Sequence, residues 1–436
     1  MANPTVILAV LAGLVFLGMA LEEVFRRTGI PDVLILLLLG LAASVSGVID
    51  VSKLAGIDRV FTTCALVLIL FEGAVRLRLK DLTSAMGGAT ALTLIGFFAT
   101  AAVIGLLGMT LFQMRPLAAL ALGCILGGTS SAVVIPMVQT LKMNQDTRIV
   151  LTLESALTDV LCIVFTLALT AALTAGELSW STIGLDLAYG FIVALVIGAL
   201  SGFAWAVWMR TLRKKRPSML FVAAAVFLVY ALAEALGTFG AIACLAFGVV
   251  LGNAESLMKS RPYADELGIY EGERFFLSEV AFLLKVFFFV YLGASLQLTG
   301  YEPIVFGGLT TLAIFAIRPF AVRLSMRPKT TPARDAKIAS VLAPKGLAAA
   351  VLATVPLQAG VAEGKLIEAV TFGVVFFSII AASALTIFVD RSFISNAYMK
   401  LFSRYAGPVD GGGVVSIGEH AVQAPESEPA AESRSA

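Results

Sequence analysis

Residues 150–165 read VLTLESALTDVLCIVF, an apolar helical segment with two carboxylates, Glu154 and Asp159, near its middle. Apolar residues continue beyond it, so the segment is long enough to cross a bilayer, where one charged side chain costs about 2.5–3.5 kcal/mol. Ser155 and Asp159 are four residues apart and lie about 40° apart on one helix face. Glu154 and Thr158 form a second such pair beside them. The stretch predicts a site for an ion or a proton inside a membrane.

The composition places the whole chain in a membrane. Of its 436 residues, 59% are hydrophobic and only 14% are charged, too few to cover a soluble protein. The four cysteines lie in apolar stretches and are predicted to be small buried hydrophobic residues. The only histidine, His420, lies in a polar tail, and no nucleophile–base set or metal motif stands out. We therefore predict an all-α polytopic membrane protein that is not an enzyme and uses no cofactor.

Hydrophobic spans of about 18–25 residues mark transmembrane helices, and we predict about thirteen. They cover residues 4–21, 31–49, 60–77, 88–112, 116–139, 149–174, 184–209, 217–236, 239–254, 276–297, 302–322, 337–358 and 366–389. Most of the 31 Lys and Arg residues then fall in loops on one side, which the positive-inside rule makes cytoplasmic. We predict an N-terminus outside, a C-terminus in the cytoplasm, a transmembrane domain over 1–405 and a disordered cytoplasmic tail over 406–436.

The thirteen spans divide into two units of six with opposite orientation, joined by the seventh. This is the inverted repeat common in secondary transporters. The fifth span contains Gly127-Gly128-Thr129-Ser130-Ser131 and then Pro136, and the twelfth contains Ala343-Pro344-Lys345-Gly346 and then Pro356. Gly and Pro in mid-span free backbone groups to face a cavity, so helices 5 and 12 are predicted to be broken. Broken helices at matching positions indicate a substrate site.

Polar residues inside the predicted spans have both a functional and a structural interpretation. The four polar residues of the opening stretch could bind a cation or a proton through oxygen ligands, or could hold two helices together by hydrogen bonds. Thr129 and Ser130 could face the ion or line a small-residue packing groove. Glu72 could be a further ligand or proton relay, or the i,i+4 partner of Arg76.

Three cations, Lys285, Arg318 and Lys345, lie inside predicted spans, where a buried cation needs an anionic partner. Arg318 could pair with Glu154 or extend toward the cytoplasmic surface. Lys345 could offset the helix dipoles that meet at the break in helix 12. Lys285 could be a proton-linked counter-charge or a structural partner of an acid. The pairings stay open at this level.

Six segments of the chain together carry a family resemblance. They are Phe71-Glu72-Gly73, Gly128-Thr129-Ser130-Ser131, Glu154-Ser155-Ala156-Leu157-Thr158-Asp159, Phe287-Phe288-Phe289-Val290-Tyr291-Leu292-Gly293, Ile317-Arg318-Pro319 and Pro344-Lys345-Gly346. In this order they resemble the NhaP/NHE-type monovalent cation:proton antiporters, a similarity that covers about residues 4–390. The resemblance implies the NhaA-like antiporter fold, a homodimer, and elevator-type alternating access in which broken helices 5 and 12 cross beside the ion.

The resemblance also implies roles for individual residues. Asp159 would be the essential carboxylate, and Glu154 would form a structural ion pair with Arg318. Members that exchange sodium usually carry Asn-Asp where this chain has Thr158-Asp159, and electrogenic relatives carry Asp-Asp. Thr158 lacks a second carboxylate, which favours electroneutral exchange, and its departure from Asn leaves the choice of ion open. The predicted cation and proton ligands are Asp159, Ser155, Glu72, Thr129, Thr158 and Ser130.

These observations predict a secondary active antiporter that exchanges a monovalent cation for H+ across the cell membrane, with a role in pH homeostasis. Na+ is favoured and K+ is the alternative. The predicted partners are these ions, the lipid bilayer and a second copy of the chain, with no nucleic acid. A cation channel or channel-like subunit is the alternative from another class. Clustering of the interior polar residues near mid-span, between apolar stretches, favours a gated transporter over a continuous pore.

Overall fold

The structure is a computed structural model. It describes residues 4–28, 31–47, 57–77, 79–141, 143–175, 180–215, 220–259, 267–296, 301–388 and 401–405. The predicted tail over 406–436, including His420, lies outside the described residues.

Within these residues the chain forms sixteen α-helices, because its long apolar runs are interrupted only by short polar, Gly- or Pro-containing connections. The helices are α1 Pro4–Thr28, α2 Asp32–Val45, α3 Ile57–Arg76, α4 Leu79–Thr110, α5 Pro116–Ile125, α6 Ser131–Thr140, α7 Gln145–Ala175, α8 Trp180–Lys215, α9 Leu220–Ala235, α10 Gly240–Gly252, α11 Ala254–Leu257, α12 Glu271–Ser295, α13 Tyr301–Ser325, α14 Ala333–Val341, α15 Leu347–Gln358 and α16 Gly364–Phe388.

Six of the described helices are long and apolar enough to cross a membrane, judged by length and composition. Each of the thirteen predicted spans overlaps at least one helix, while the number of membrane crossings stays a prediction. The six apolar stretches are Gly87–Thr110, Gln145–Thr174, Tyr189–Met209, Glu271–Ser295, Ile304–Ser325 and Gly364–Phe388.

Two pairs of short helices are separated by residues without helical structure. Residues 126–130, here called the first break, lie between α5 and α6, and residues 342–346, the second break, lie between α14 and α15. Gly and Pro explain both positions, since neither residue supports a helix interior. Pro136 and Pro356, which the sequence places after the weak points, lie inside α6 and α15 instead.

The helices pack in two groups, each of which makes most of its contacts internally. One group, here called the core group, contains α4–α7 and α13–α16, and the other contains α1–α3, α8–α10 and α12. In the second group α2 and α12 approach closely at Gly40 and Gly293. The absence of a side chain permits this approach, since a Cβ on either glycine would overlap the backbone of the facing helix. Both breaks belong to the core group.

Candidate functional site

The two breaks touch each other. The amide of Ser130 in the first break donates a hydrogen bond of 2.8 Å to the carbonyl of Pro344 in the second. A Cβ built on Gly346 would overlap the hydroxyl oxygen of Ser130, so only glycine fits here without a shift. Gly346 therefore permits the close approach of the two breaks.

Lys345 reaches from the second break into the first. Its side chain is 2% exposed, and its Nζ donates a hydrogen bond of 2.6 Å to the carbonyl of Gly128. Its own amide donates to Ser378 Oγ of α16 at 2.9 Å. The ammonium group thus lies just beyond the C-terminal end of α5, where carbonyl oxygens lack helical partners. The sequence predicts that this charge offsets the dipoles at the break in helix 12; its ammonium group instead contacts the first break, and its role as a counter-charge stays a prediction.

The hydroxyl groups of α7 connect it to the first break. Thr158 Oγ1 accepts a hydrogen bond of 3.1 Å from the amide of Thr129 and donates one of 3.0 Å to the carbonyl of Ser155. Ser155 Oγ donates to the carbonyl of Thr152 at 3.0 Å. Both Thr158 and Ser155 are fully buried. The Thr158 hydroxyl therefore fixes the backbone of the first break against α7.

Asp159 lies beside the start of α6 and is partly buried. Ser131, the first residue of α6, donates a hydrogen bond of 2.6 Å from its Oγ to Asp159 Oδ2. Within the part of the chain that the structure describes, no hydrogen bond reaches the other carboxylate oxygen, Oδ1. The carboxylate thus has one oxygen that is held and one that is available to a ligand.

Thr129 supplies a second oxygen without a partner. Its Oγ1 is buried and forms no hydrogen bond with any described residue. A buried hydroxyl left in this state costs about 1–3 kcal/mol. A hard cation prefers oxygen ligands of these two kinds, and the place of Asp159 and Thr129 among the cation ligands stays a prediction.

Glu154, the other acid of α7, is paired with Arg318 of α13. Nη1 lies 2.8 Å from Oε1 and Nη2 lies 3.1 Å from Oε2, a bidentate arrangement. Arg318 Nε also donates to the carbonyl of Ala339 at 3.0 Å. Both charged side chains are almost inaccessible. The two acids of the opening stretch are therefore separated, with one compensated by a guanidinium group and the other facing the first break.

Two candidates lie in the second helix group. Lys285 Nζ is 2.7 Å from Asp32 Oδ2, a partner that sequence reasoning missed because Asp32 stands at the very start of a span. Glu72 forms an ion pair with Arg76, and its Oε1 accepts a hydrogen bond of 3.4 Å from Ser278. These contacts agree with the structural interpretation of Glu72, in which it is the partner of Arg76. Its place among the ion ligands stays a prediction.

Ser131 is the contact residue that sequence reasoning missed. It stands in the quoted motif Gly128–Ser131, where Ser130 was chosen instead. The signal that distinguishes them is the position at which the helix resumes, since the first helical residue after the break projects its side chain toward α7. The residue before it, Ser130, contacts the second break, which is more than 200 residues away in the chain.

Comparisons with known proteins agree with this architecture. The family described as "Sodium/hydrogen exchanger, transmembrane" matches residues 9–391. The K(+)/H(+) antiporter NhaP2 of Shewanella sp. (strain ANA-3) is 27% identical over 377 residues, which cover 84% of this chain and 63% of that protein. The Probable Na(+)/H(+) antiporter 2 of Methanocaldococcus jannaschii is 21% identical over 351 residues, covering 77% and 81%. The chain thus spans less than two thirds of the NhaP2 relatives' length.

A solved structure shares the fold. The sodium proton antiporter MjNhaP1 from Methanocaldococcus jannaschii, determined at pH 8, superposes with a TM-score of 0.70 and 22% identity. The match covers 88% of this chain and 100% of the other. At this level of identity the likeness establishes the arrangement of helices.

Proposed function

The chain belongs to the sodium/hydrogen exchanger family, and from this premise we propose that it exchanges a monovalent cation for protons across the cell membrane. The names of the relatives, K(+)/H(+) antiporter and Probable Na(+)/H(+) antiporter, support this proposal. The observation in the chain that carries it is Asp159, a carboxylate with one unbonded oxygen at the place where two helix breaks cross. The partnerless hydroxyl of Thr129 lies on the same break.

Asp159 couples the two fluxes by competition. A proton or a cation occupies the carboxylate, and either one neutralises it. An empty, charged Asp159 is costly to move through apolar surroundings, about 2.5–3.5 kcal/mol at bilayer depth, so only the loaded site crosses. Thr158 adds no charge, and the charge of Glu154 is compensated by Arg318. With one titrating carboxylate, the proposed exchange is one cation for one proton and is electroneutral.

The proposed movement is an elevator-type displacement of the core group against the second group. Support comes from packing, because helices of the core group contact mainly one another and hold both breaks. We also propose thirteen membrane crossings in two inverted repeats, with the fifth and twelfth spans, residues 116–139 and 337–358, forming the broken helices 5 and 12. The N-terminus lies outside, residues 1–405 form the transmembrane domain, and residues 406–436 form a cytoplasmic tail. The proposed assembly is a homodimer.

Na+ is the first candidate for the cation, and K+ is the second. A carboxylate with nearby hydroxyl oxygens suits a small hard cation, which favours Na+. K+ is supported by relatives that are 27% identical to this chain and are named K(+)/H(+) antiporters. The two candidates differ in the cation that drives proton movement, so one assay separates them.

The proposal is tested with purified protein in proteoliposomes that enclose a pH-sensitive dye. Pulses of Na+, K+ or Li+ are added with and without an imposed membrane potential. Wild-type protein is expected to give a cation-dependent pH change whose rate does not respond to the potential. Asp159→Asn is expected to abolish it, because a neutral amide cannot alternate between a proton and a cation.

The matched control is Asp146→Asn, the same substitution at an exposed acid in the first turn of the same helix. It is expected to keep the wild-type rate. Size-exclusion chromatography in detergent shows whether both variants fold. If folded Asp159→Asn still moves protons on a cation pulse, Asp159 is not the coupling site. A persistent unitary current in planar bilayers would instead indicate a channel.

A further inference from the structure

Ser131 is the described residue that fixes the orientation of the Asp159 carboxylate. Its Oγ lies 2.6 Å from Oδ2, a length typical of a hydroxyl that donates to a charged carboxylate. Such bonds are about twice as strong as those between neutral groups. An aspartate side chain otherwise rotates broadly about its last torsion. The bond therefore selects one orientation and leaves Oδ1 without a hydrogen-bond partner among the described residues.

The two hydroxyl residues of the first break, which immediately precede Ser131, make no hydrogen bond to the carboxylate in the described part of the chain. Ser130 binds the second break through its amide, and its side chain packs against Gly346. The amide of Thr129 is held by Thr158, and its Oγ1 makes no hydrogen bond with a described residue. Ser131 is thus the one hydroxyl of this segment that contacts the carboxylate, among the described residues.

The charged groups nearest Asp159 cannot replace this bond. They are Glu154 and Lys345, whose charges act on the carboxylate. Glu154 is held by Arg318 at 2.8 Å, and Lys345 Nζ is held by the Gly128 carbonyl at 2.6 Å. Removal of the Ser131 hydroxyl would remove the one hydrogen bond that the described residues donate to this carboxylate.

From this geometry we propose that Ser131 is a positioning residue for cation binding: it holds Oδ2 of Asp159 so that Oδ1 faces the transported cation. The inference rests on the proposed function and deepens it by assigning cation affinity to a residue beyond the predicted ligands. Loss of a hydrogen bond to a charged group changes an equilibrium by roughly tenfold or more. The effect belongs in the apparent KM for the cation, because saturating cation restores the productive orientation.

The test compares full-length wild type with Ser131→Ala and Ser131→Thr in the proteoliposome assay, at fixed pH and varied Na+ or K+. Ser131→Ala is expected to raise the cation KM roughly tenfold and to change the maximal rate less than about twofold. Ser131→Thr keeps the hydroxyl and is expected to restore a KM near the wild-type value. Ser383→Ala is the matched control, since it removes a buried hydroxyl whose one hydrogen bond among the described residues lies within α16, to the Ile379 carbonyl at 2.7 Å.

A second readout measures cation binding without transport. Purified protein in detergent is melted in increasing Na+ or K+, with choline as the replacement ion, and the cation concentration that gives half the stabilisation is compared between variants. Ser131→Ala is expected to need roughly ten times more cation. If Ser131→Ala cannot be purified, Ser131→Cys serves, because its weaker S–H donor predicts an intermediate rise.

The outcomes separate the two proposals. An unchanged KM and unchanged cation dependence in Ser131→Ala or Ser131→Cys overturn the positioning role. An equal loss of maximal rate in Ser131→Ala and Ser131→Thr, with KM unchanged, also overturns it in favour of packing. If wild type is stabilised by cations but does not exchange them, a tenfold shift in Ser131→Ala supports Ser131 while the antiport proposal fails. If no cation stabilises wild type, both fail.

Discussion

Replacing one partner of the Glu154–Arg318 pair is expected to destabilise the protein more than replacing both. The guanidinium and carboxylate form two hydrogen bonds of 2.8 and 3.1 Å, and the side chains are 5% and 2% exposed. Removing one partner of such a buried pair costs about 3–5 kcal/mol, because the remaining charge is uncompensated. Glu154→Leu and Arg318→Met should each show this loss, roughly 6–10 °C in melting temperature at about 2 °C per kcal/mol.

The double variant Glu154→Leu/Arg318→Met should recover most of the lost stability, since apolar side chains of similar volume often replace a buried ion pair without cost. It does not recover all of it. Arg318 Nε also donates to the carbonyl of Ala339, which lies in the last turn of α14 and has no helical donor. That carbonyl, left buried and unbonded, should cost about 1–3 kcal/mol.

Melting temperatures in detergent, measured by size-exclusion chromatography after heating, test this order of stabilities. Arg115→Ala is the matched control, because Arg115 forms an exposed bidentate pair with Glu363 and its side chain is 57% exposed. Exposed pairs contribute about 0–1 kcal/mol, so the control should melt close to wild type. A double variant that melts at or below the lower of the two single variants would refute the reasoning, as would single variants no less stable than the control.

Two further substitutions test the contact between the breaks and the ion pair of the second helix group. Gly346→Ala should lower the exchange rate at least tenfold in the proteoliposome assay, because its Cβ would overlap the first break and small displacements at a site are costly. The control Gly308→Ala should keep the wild-type rate, since a Cβ there would meet no atom within 4 Å. Equal rates in the two variants would contradict the close contact of the breaks. Lys285→Met should lower the free energy of unfolding by about 2–3 kcal/mol, and with it the melting temperature, because it leaves Asp32 uncompensated in a partly exposed pair. Adding Asp32→Asn should restore most of the melting temperature, and no rescue would argue against the pair.

The positions of the polar residues could be predicted from sequence, because the cost of burying charge and breaking helices depends on local chemistry. Glu154, Asp159 and the Gly- and Pro-containing breaks stand out in apolar runs whatever the remaining fold. The structure places Asp159 beside one of these breaks and brings both breaks together. Local signals therefore identified most of the site, although the roles of its residues stay predictions.

The pairings could not be predicted, because they depend on which helices become neighbours. Lys285 and Asp32 are 253 residues apart, and nothing in either segment indicates the other. The choice between Ser130 and Ser131 could not be predicted for the same reason, since it also depends on which segments become neighbours. Ser130 contacts Pro344 of the second break through its amide, whereas the next residue, Ser131, contacts the carboxylate through its hydroxyl.

Thr158 shows how the structure changes the interpretation of a sequence difference. By sequence it is the residue at which this chain departs from sodium-exchanging members of the family it resembles, and it was expected among the ligands. Its hydroxyl oxygen accepts from the amide of Thr129 and so holds the first break, while its only proton is donated to the carbonyl of Ser155 within α7. A neutral side chain that supports the backbone leaves Asp159 as the single uncompensated carboxylate described at the crossing. In the proposed mechanism, the charge moved in each cycle follows from that one group, and the cation affinity follows from how Ser131 orients it.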